Sequence, residues 1–279
     1  MTREPSQATR PTDRILGREA GGGTSASSDT GLLACLARLL ACELATFALL
    51  AIWVIGAALV RGARRERLRV WTMRRWGRIS LWAFRVRVTV DGSPPTSAGL
   101  VVSNHVSYID ILLYASVLGA SFVSMVEVRS WPVLGLLARV AGTVFIDRAK
   151  RRELVVVNGR IEHVLGAGRQ LVLFPEGSNS DGSQVQPFRP SLLQPAARGA
   201  LPVHYAAVTY CTSPGDPPAS SHVAWFDGAP FLPHAWRLMR GRPVEAKVRF
   251  GPVAIRSRDR KQLAEDLRGA VQGLFEPLA

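Results

Sequence analysis

The sequence predicts an α/β fold: a mostly parallel sheet flanked by helices, with an N-terminal transmembrane and interfacial helical segment. Three observations carry it. Short apolar runs alternate with helical stretches from Arg85 onward, the order that builds a parallel sheet. One apolar run, Gly31 to Val60, is long enough to cross a bilayer. The net charge of +14 comes almost wholly from arginine, since Lys150, Lys247 and Lys261 are the only lysines, and the arginines crowd directly behind that run.

Residues 1–30 are rich in Ser, Thr, Gly and Pro, carry charges of both signs and show no periodicity, which predicts a disordered leader. Residues 31–60 form the expected transmembrane helix; a buried hairpin or re-entrant helix is the alternative, which the charged Arg38 and Glu43 would tolerate better. Leu44 to Val60 is free of charge, and extension back to Ala41 gives ~20 residues, enough for the hydrocarbon core. Arg61, Arg64, Arg65, Arg67, Arg69, Arg74, Arg75 and Arg78 follow, so the positive-inside rule puts the bulk of the chain on the cytoplasmic side of a membrane. Residues 61–84 interleave these arginines with Trp71, Trp76 and Trp82, the pattern of a basic helix in the headgroup layer. Nucleic-acid binding is the rival reading of such a patch, but its place behind a membrane segment favours lipid. Cys35, Cys42 and Cys211 make no disulfide framework, consistent with a reducing compartment.

Residues 85–279 form the α/β domain. Strands are expected at Arg85–Val90, Leu100–Ser103, Phe122–Val126, Val144–Ile146, Leu171–Phe174, Val203–Thr209, Val223–Phe226 and Glu245–Phe250. Helices are expected at Tyr108–Leu118, Pro132–Val140, Arg151–Leu165, Leu192–Arg198, His234–Met239 and Arg258–Phe275. A site in such a fold belongs at the carboxyl ends of the strands.

One strand-to-helix junction carries candidate chemistry: Ser103-Asn104-His105-Val106-Ser107-Tyr108-Ile109-Asp110. With Asp110 in the first turn of a helix, its carboxylate reaches an imidazole nitrogen of His105 and fixes one tautomer. The other nitrogen is then free to take a proton from a substrate hydroxyl. This is a serine-protease triad without its serine. Ser107 to Asp110 equally fits a helix capping box, in which the carboxyl serves backbone alone. Three more loops could meet His105, the third of which, Leu201-Pro202-Val203, is too short to carry meaning unaided. Arg148 follows Val144–Ile146 and offers a planar fork to a phosphate or carboxylate. The apolar strand Leu171–Phe174 stops at Pro175 and leads into Glu176-Gly177-Ser178-Asn179, either as a substrate loop with one carboxylate or as a plain turn.

Together these pieces resemble the glycerophospholipid acyltransferase family. His105 and Asp110 match its His-x4-Asp block, Gly142, Phe145, Ile146 and Arg148 its second, Phe174 to Gly177 its third, and Pro202 its fourth. The resemblance covers Arg85 to about Thr209 and implies that residues 85–279 are an acyltransferase domain. It implies acyl transfer from acyl-CoA or acyl carrier protein to a lipid hydroxyl, with His105 as general base and Asp110 orienting it. Arg148, Glu176 and Gly177 then belong to the acceptor site, with Ser178 and Asn179 beside them. The family's third block often continues Thr-Arg-Ser where this chain has Ser178-Asn179-Ser180, so one expected cation is missing; Arg189 is a candidate replacement.

Family frequency puts 1-acyl-sn-glycerol-3-phosphate first as acceptor, giving phosphatidic acid. The stretch Ser180 to Leu193 resembles instead the subgroup acting on lyso-ornithine lipids. A thioesterase using the same pair on water, and a non-catalytic membrane adaptor, are the weaker alternatives. No Gly-x-Ser-x-Gly elbow occurs. The five histidines form no ligand cluster, so no metal is expected, and no cofactor beyond the acyl-donor substrate. The expected partners are membrane lipids and the thioester donor, with no nucleic acid.

Overall fold

The computed structural model of the chain describes residues 25–130, 134–147 and 153–278. Helix α1 (Ser25–Leu59) begins inside the stretch expected as leader, and residues 1–24 lie outside the described residues. Its segment Gly31–Leu59 is long and apolar enough to cross a membrane. Leu33, Leu36, Leu40, Leu44, Phe47, Val54, Ile55 and Leu59 are all exposed on it, so its apolar surface is uncovered by protein.

After a turn at Val60 and Arg61 the chain returns as α2 (Gly62–Ala83), antiparallel to α1. The contacts run in reverse order along the pair. Cys35 packs with Ala83, Cys42 Sγ lies 3.9 Å from Ser80 Oγ, Arg65 sits over the Trp53 ring, and Gly56 faces Leu68. The transmembrane and interfacial segments read separately from sequence are thus two arms of one hairpin. The basic face expected of α2 is also incomplete. Arg69 is 2% exposed, pairs with Glu66 at 2.6 Å and donates to the Ala141 carbonyl at 3.1 Å. Arg169 holds Glu66 from the other side at 3.1 Å, and this anchors the hairpin to the domain.

The domain continues with β1 (Val86–Asp91), β2 (Gly99–Ser103), α3 (Ile109–Leu118), β3 (Ser121–Met125), α4 (Leu134–Val140), β4 (Val144–Ile146), α5 (Glu153–Gly166) and β5 (Gln170–Leu173). Then come α6 (Gln194–Arg198), β6 (Val203–Cys211), α7 (Ala219–His222), α8 (Phe231–Arg240), β7 (Val244–Phe250) and α9 (Arg260–Leu274). Strand order is β1-β7-β6-β2-β5-β3-β4. From β6 to β4 all pairs are parallel; β7 runs antiparallel to β6, and β1 parallel to β7. The sheet is therefore mostly parallel, with two reversed strands at one edge.

Alternation along the strands sends side chains to two cores. Val101, Val172, Ala206, Val208 and Tyr210 face one side with α3, α8 and residues of α2. Leu100, Val102, Leu171, Leu173, Val203 and Ala207 face the other, under α5, α6 and α9. Hence α1, α2, α3 and α8 share one side of the sheet. The continuously apolar runs of β2 and β5 are what burial on both faces demands.

Val223–Phe226, expected as a strand, is not one: α7 ends at His222 and an irregular segment follows. Its apolar residues are taken up elsewhere, Val223 and Ala224 in the core beside Leu238 and Trp225 against Tyr108. A run of four apolar residues has no period by which to tell strand from buried loop.

The hairpin docks on the domain where α2 crosses α3 at Gly77. A Cβ there would lie 2.5 Å from Ser116 N and 2.6 Å from Leu112 O, both backbone atoms. Gly77→Leu should cost about 1–3 kcal/mol or more by overpacking a rigid contact. Gly269→Ala, in an open position on α9, should instead stabilise by about 0.5–1 kcal/mol. Chemical denaturation in detergent micelles checks both, and equal effects of the two substitutions would refute the close crossing.

Candidate active site

The site grows from the carboxyl end of β2. After Ser103 the Asn104 side chain continues the strand pairing in place of backbone: Nδ2 donates to the Val208 carbonyl at 3.0 Å and Oδ1 accepts from Val208 N–H at 2.8 Å. The main chain is thereby released from the sheet and turns. His105 follows, 15% exposed, with Nδ1 2.7 Å from Asp110 Oδ2. Its ring stacks on Phe174 at 4.1 Å and 12°, so the first residue beyond β5 fixes the imidazole plane.

Asp110 is fully buried in the first turn of α3. Oδ2 accepts from Val106 N–H at 2.8 Å and Ser107 N–H at 3.0 Å as well as facing His105, and Oδ1 accepts from Tyr210 Oη at 2.5 Å. The capping and the His-orienting readings are therefore both realised by one carboxylate. The serine half of the capping box is not made, because buried Ser107 Oγ has no hydrogen-bond partner in the described structure. Burial, then the Asp110 charge, pushes the Tyr210 hydroxyl far up, so it stays a donor. With Nδ1–H directed at the carboxylate, the Nε2 lone pair is left to accept a substrate proton. An alcohol deprotonated there can attack a thioester with no covalent enzyme nucleophile.

The loop after β5 closes over this pair. Ser180 N–H donates to the His105 carbonyl at 3.0 Å, and Asn179 Nδ2 donates to the Trp225 carbonyl at 2.7 Å. Trp225 N–H in turn donates to the Val106 carbonyl at 3.0 Å. Gly177 has φ +84°, and a Cβ there would meet Arg189 Nε at 2.6 Å, so the absent side chain makes room for the guanidinium. Among the described residues no three His, Cys, Asp or Glu side chains converge as a metal site.

A model of the Acyltransferase family matches residues 85–209, the stretch that contains His105, Asp110, Phe174 and the 176–180 loop, while Tyr210 and Trp225 lie beyond it. The lyso-ornithine lipid O-acyltransferase of Brucella abortus (strain 2308) is 34% identical over 208 residues, covering 70% of this chain and 78% of that protein. The chain belongs to the acyltransferase family. The 1-acyl-sn-glycerol-3-phosphate acyltransferase of Neisseria gonorrhoeae is 33% identical over 177 residues, covering 63% and 68%. The crystal structure of the 1-acyl-sn-glycerophosphate acyltransferase from Thermotoga maritima shares the fold, with a TM-score of 0.61, 19% identity, and coverage of 88% of this chain and 95% of that one.

In this acyltransferase the structure brings His105, Asp110, Phe174 and the 176–180 loop together. Ser178 is exposed, Asn179 is spent on Trp225, and Arg189 is exposed beside Gly177. Arg148 lies outside the described residues. Tyr210 escapes the sequence reading, since nothing local marks a tyrosine one hundred residues from its carboxylate. Glu176 is 5% exposed rather than open to an acceptor; Oε1 accepts from Gln186 N–H at 3.3 Å, and buried Oε2 has no hydrogen-bond partner in the described structure. Burial pushes its carboxyl up to about 8, against the pull of the Gln186 and His105 amides, so it carries a proton at neutral pH.

The folded-state value thus lies above the unfolded one, and between them the native state binds more protons than the unfolded chain. Stability should fall as pH rises from about 5 to about 8. Glu176→Gln should flatten that fall, read by chemical denaturation at several pH values. An unchanged slope would show that Glu176 is not the protonated group.

Proposed function

We propose that this chain is a membrane-attached O-acyltransferase that acylates the free hydroxyl of a lyso-lipid with a zwitterionic or carboxylate head, lyso-ornithine lipid foremost. The single observation that carries the acceptor reading is the bond from Asn179 to the Trp225 carbonyl. Where the wider family often has a cation, this chain has a neutral amide already committed to backbone. A phosphate monoester loses a charge-assisted contact there, while a zwitterion loses little. The Brucella abortus and Pseudomonas aeruginosa lyso-ornithine lipid O-acyltransferases support the same acceptor, being aligned over 78% and 85% of their length against 68% for the Neisseria glycerophosphate enzyme. This reading reverses the order expected from family frequency. One observation keeps 1-acyl-sn-glycerol-3-phosphate as the second reading: Arg189, exposed beside Gly177, is a cation at the same loop.

In the proposed reaction His105 Nε2 takes the proton of the acceptor hydroxyl as its oxygen attacks the thioester carbonyl. The tetrahedral intermediate collapses with cleavage of the carbon–sulfur bond, and the imidazolium returns its proton to the leaving thiolate of CoA or carrier protein. Asp110 stabilises the imidazolium and keeps the Nδ1 side of the ring turned toward it. Arg148 keeps its sequence-derived role as an acceptor contact. The uncovered apolar surface of α1 attaches the enzyme to the bilayer, on the face where thioester donors are found.

Enzyme reconstituted in vesicles, given a labelled acyl donor and equal concentrations of the two acceptors, should favour lyso-ornithine lipid by roughly tenfold or more. That is what a missing contact of ~1.5–3 kcal/mol predicts. A preference for lysophosphatidic acid would overturn the acceptor reading and leave the reaction class intact. Release of free fatty acid without transfer would overturn the class.

A further inference from the structure

Helix α8 carries an apolar surface that the domain itself does not use. It buries His234, Ala235, Leu238 and Met239 and turns Leu232, Pro233, Trp236, Arg237 and Arg240 to solvent. Leu232 is 75% exposed, more than any other large apolar side chain described outside α1, and Trp236 lies one turn further on. Arg240 sits over the Trp236 ring, 5.9 Å from its centroid, and completes a row at i, i+4 and i+8. Phe226, just before the helix, is also exposed. A short helix with Leu and Trp on its open face and arginines at the margin is built for the boundary between acyl chains and phosphates.

Two connections say what covers it. At its C-terminal end α8 abuts the membrane helix: Arg38 Nη2 donates to the Met239 carbonyl at 2.9 Å, and Cys35 packs with Met239. Before its N-terminal end the chain is tied to the site, since Trp225 bonds both Val106 and Asn179. Beneath, Tyr108 Oη donates to His234 Nδ1 at 3.1 Å and its ring packs edge-on against Trp225 and Phe231. Helix α8 lies on the same side of the sheet as α1, and α9 lies on the opposite side.

We propose that the exposed row Phe226, Leu232 and Trp236, flanked by Arg237 and Arg240, is a second membrane-contact surface that seats the mouth of the His105 site against the bilayer. The occupant is an anionic lipid surface, contiguous with the one that receives α1. The inference rests on the membrane attachment proposed above. It adds a function for α8: a lyso-lipid reaches His105 from the bilayer without crossing water, because apolar surface continues from α1 to the Trp225 segment.

The test uses the full chain with its three cysteines replaced by alanine and an environment-sensitive fluorophore on one introduced cysteine. Leu232→Cys, Leu44→Cys on α1 and Glu265→Cys on α9 are compared in phosphatidylethanolamine–phosphatidylglycerol vesicles containing headgroup-region spin-labelled lipid. The labels at 232 and 44 should be quenched and the label at 265 should not. Quenching at 44 with none at 232 would overturn the inference and leave the α1 reading standing; no quenching at either site would overturn both. Unlabelled Leu232→Asp/Trp236→Glu should raise KM for vesicle-borne acceptor by about tenfold or more, with kcat unchanged. An unaltered KM would also count against the surface.

Discussion

The carboxylate of Asp110 is the interaction on which the rest depends. A charge fully removed from water is tolerated only where donors replace its hydration, and here four do so: His105, the Val106 and Ser107 amides, and Tyr210. Each donor fixes a different part of the molecule. The two amides shape the turn out of β2, the imidazole is held in one tautomer, and Tyr210 ties the start of α3 to the end of β6. The arrangement that satisfies the buried charge is the same one that leaves Nε2 of His105 available for chemistry.

The sheet supplies the geometry around that charge. The parallel strands β2 and β5 end side by side, so Phe174 arrives beside His105 as a stacking partner and the 176–180 loop follows across the ring. The reversed strands β7 and β1 form the edge of the sheet beyond β6. All the apolar surface assigned to the bilayer lies on the side of the sheet that holds α3 and the Tyr108 cluster. The opposite side holds the second core, under α5, α6 and α9.

Much of this was legible in the sequence for physical reasons. Strands buried on both faces read as apolar runs, and the His105 to Asp110 spacing spans one turn plus its preceding loop. Gly177 and Asn179 stood out as a loop that breaks an apolar strand. What stayed hidden was long-range. Tyr210 reads as one more aromatic in a strand, and Arg69 as one more arginine on a basic helix, until tertiary packing buries each against its partner. The hairpin of α1 and α2 escaped because hydropathy marks a segment as apolar but not which neighbour it lies against. The Val223–Phe226 run failed as a strand because Val223 and Ala224 pack into the core and Trp225 against Tyr108, while Phe226 is left exposed.

The central claim is that His105, oriented by Asp110, is the base for the acceptor hydroxyl. Transfer of a labelled acyl group by His105→Ala, purified and shown to bind vesicles and unfold at wild-type denaturant concentrations, tests it most directly. Loss of a general base should lower the rate by about 10²- to 10⁴-fold. A variant that keeps a tenth of the wild-type transfer rate would contradict the account.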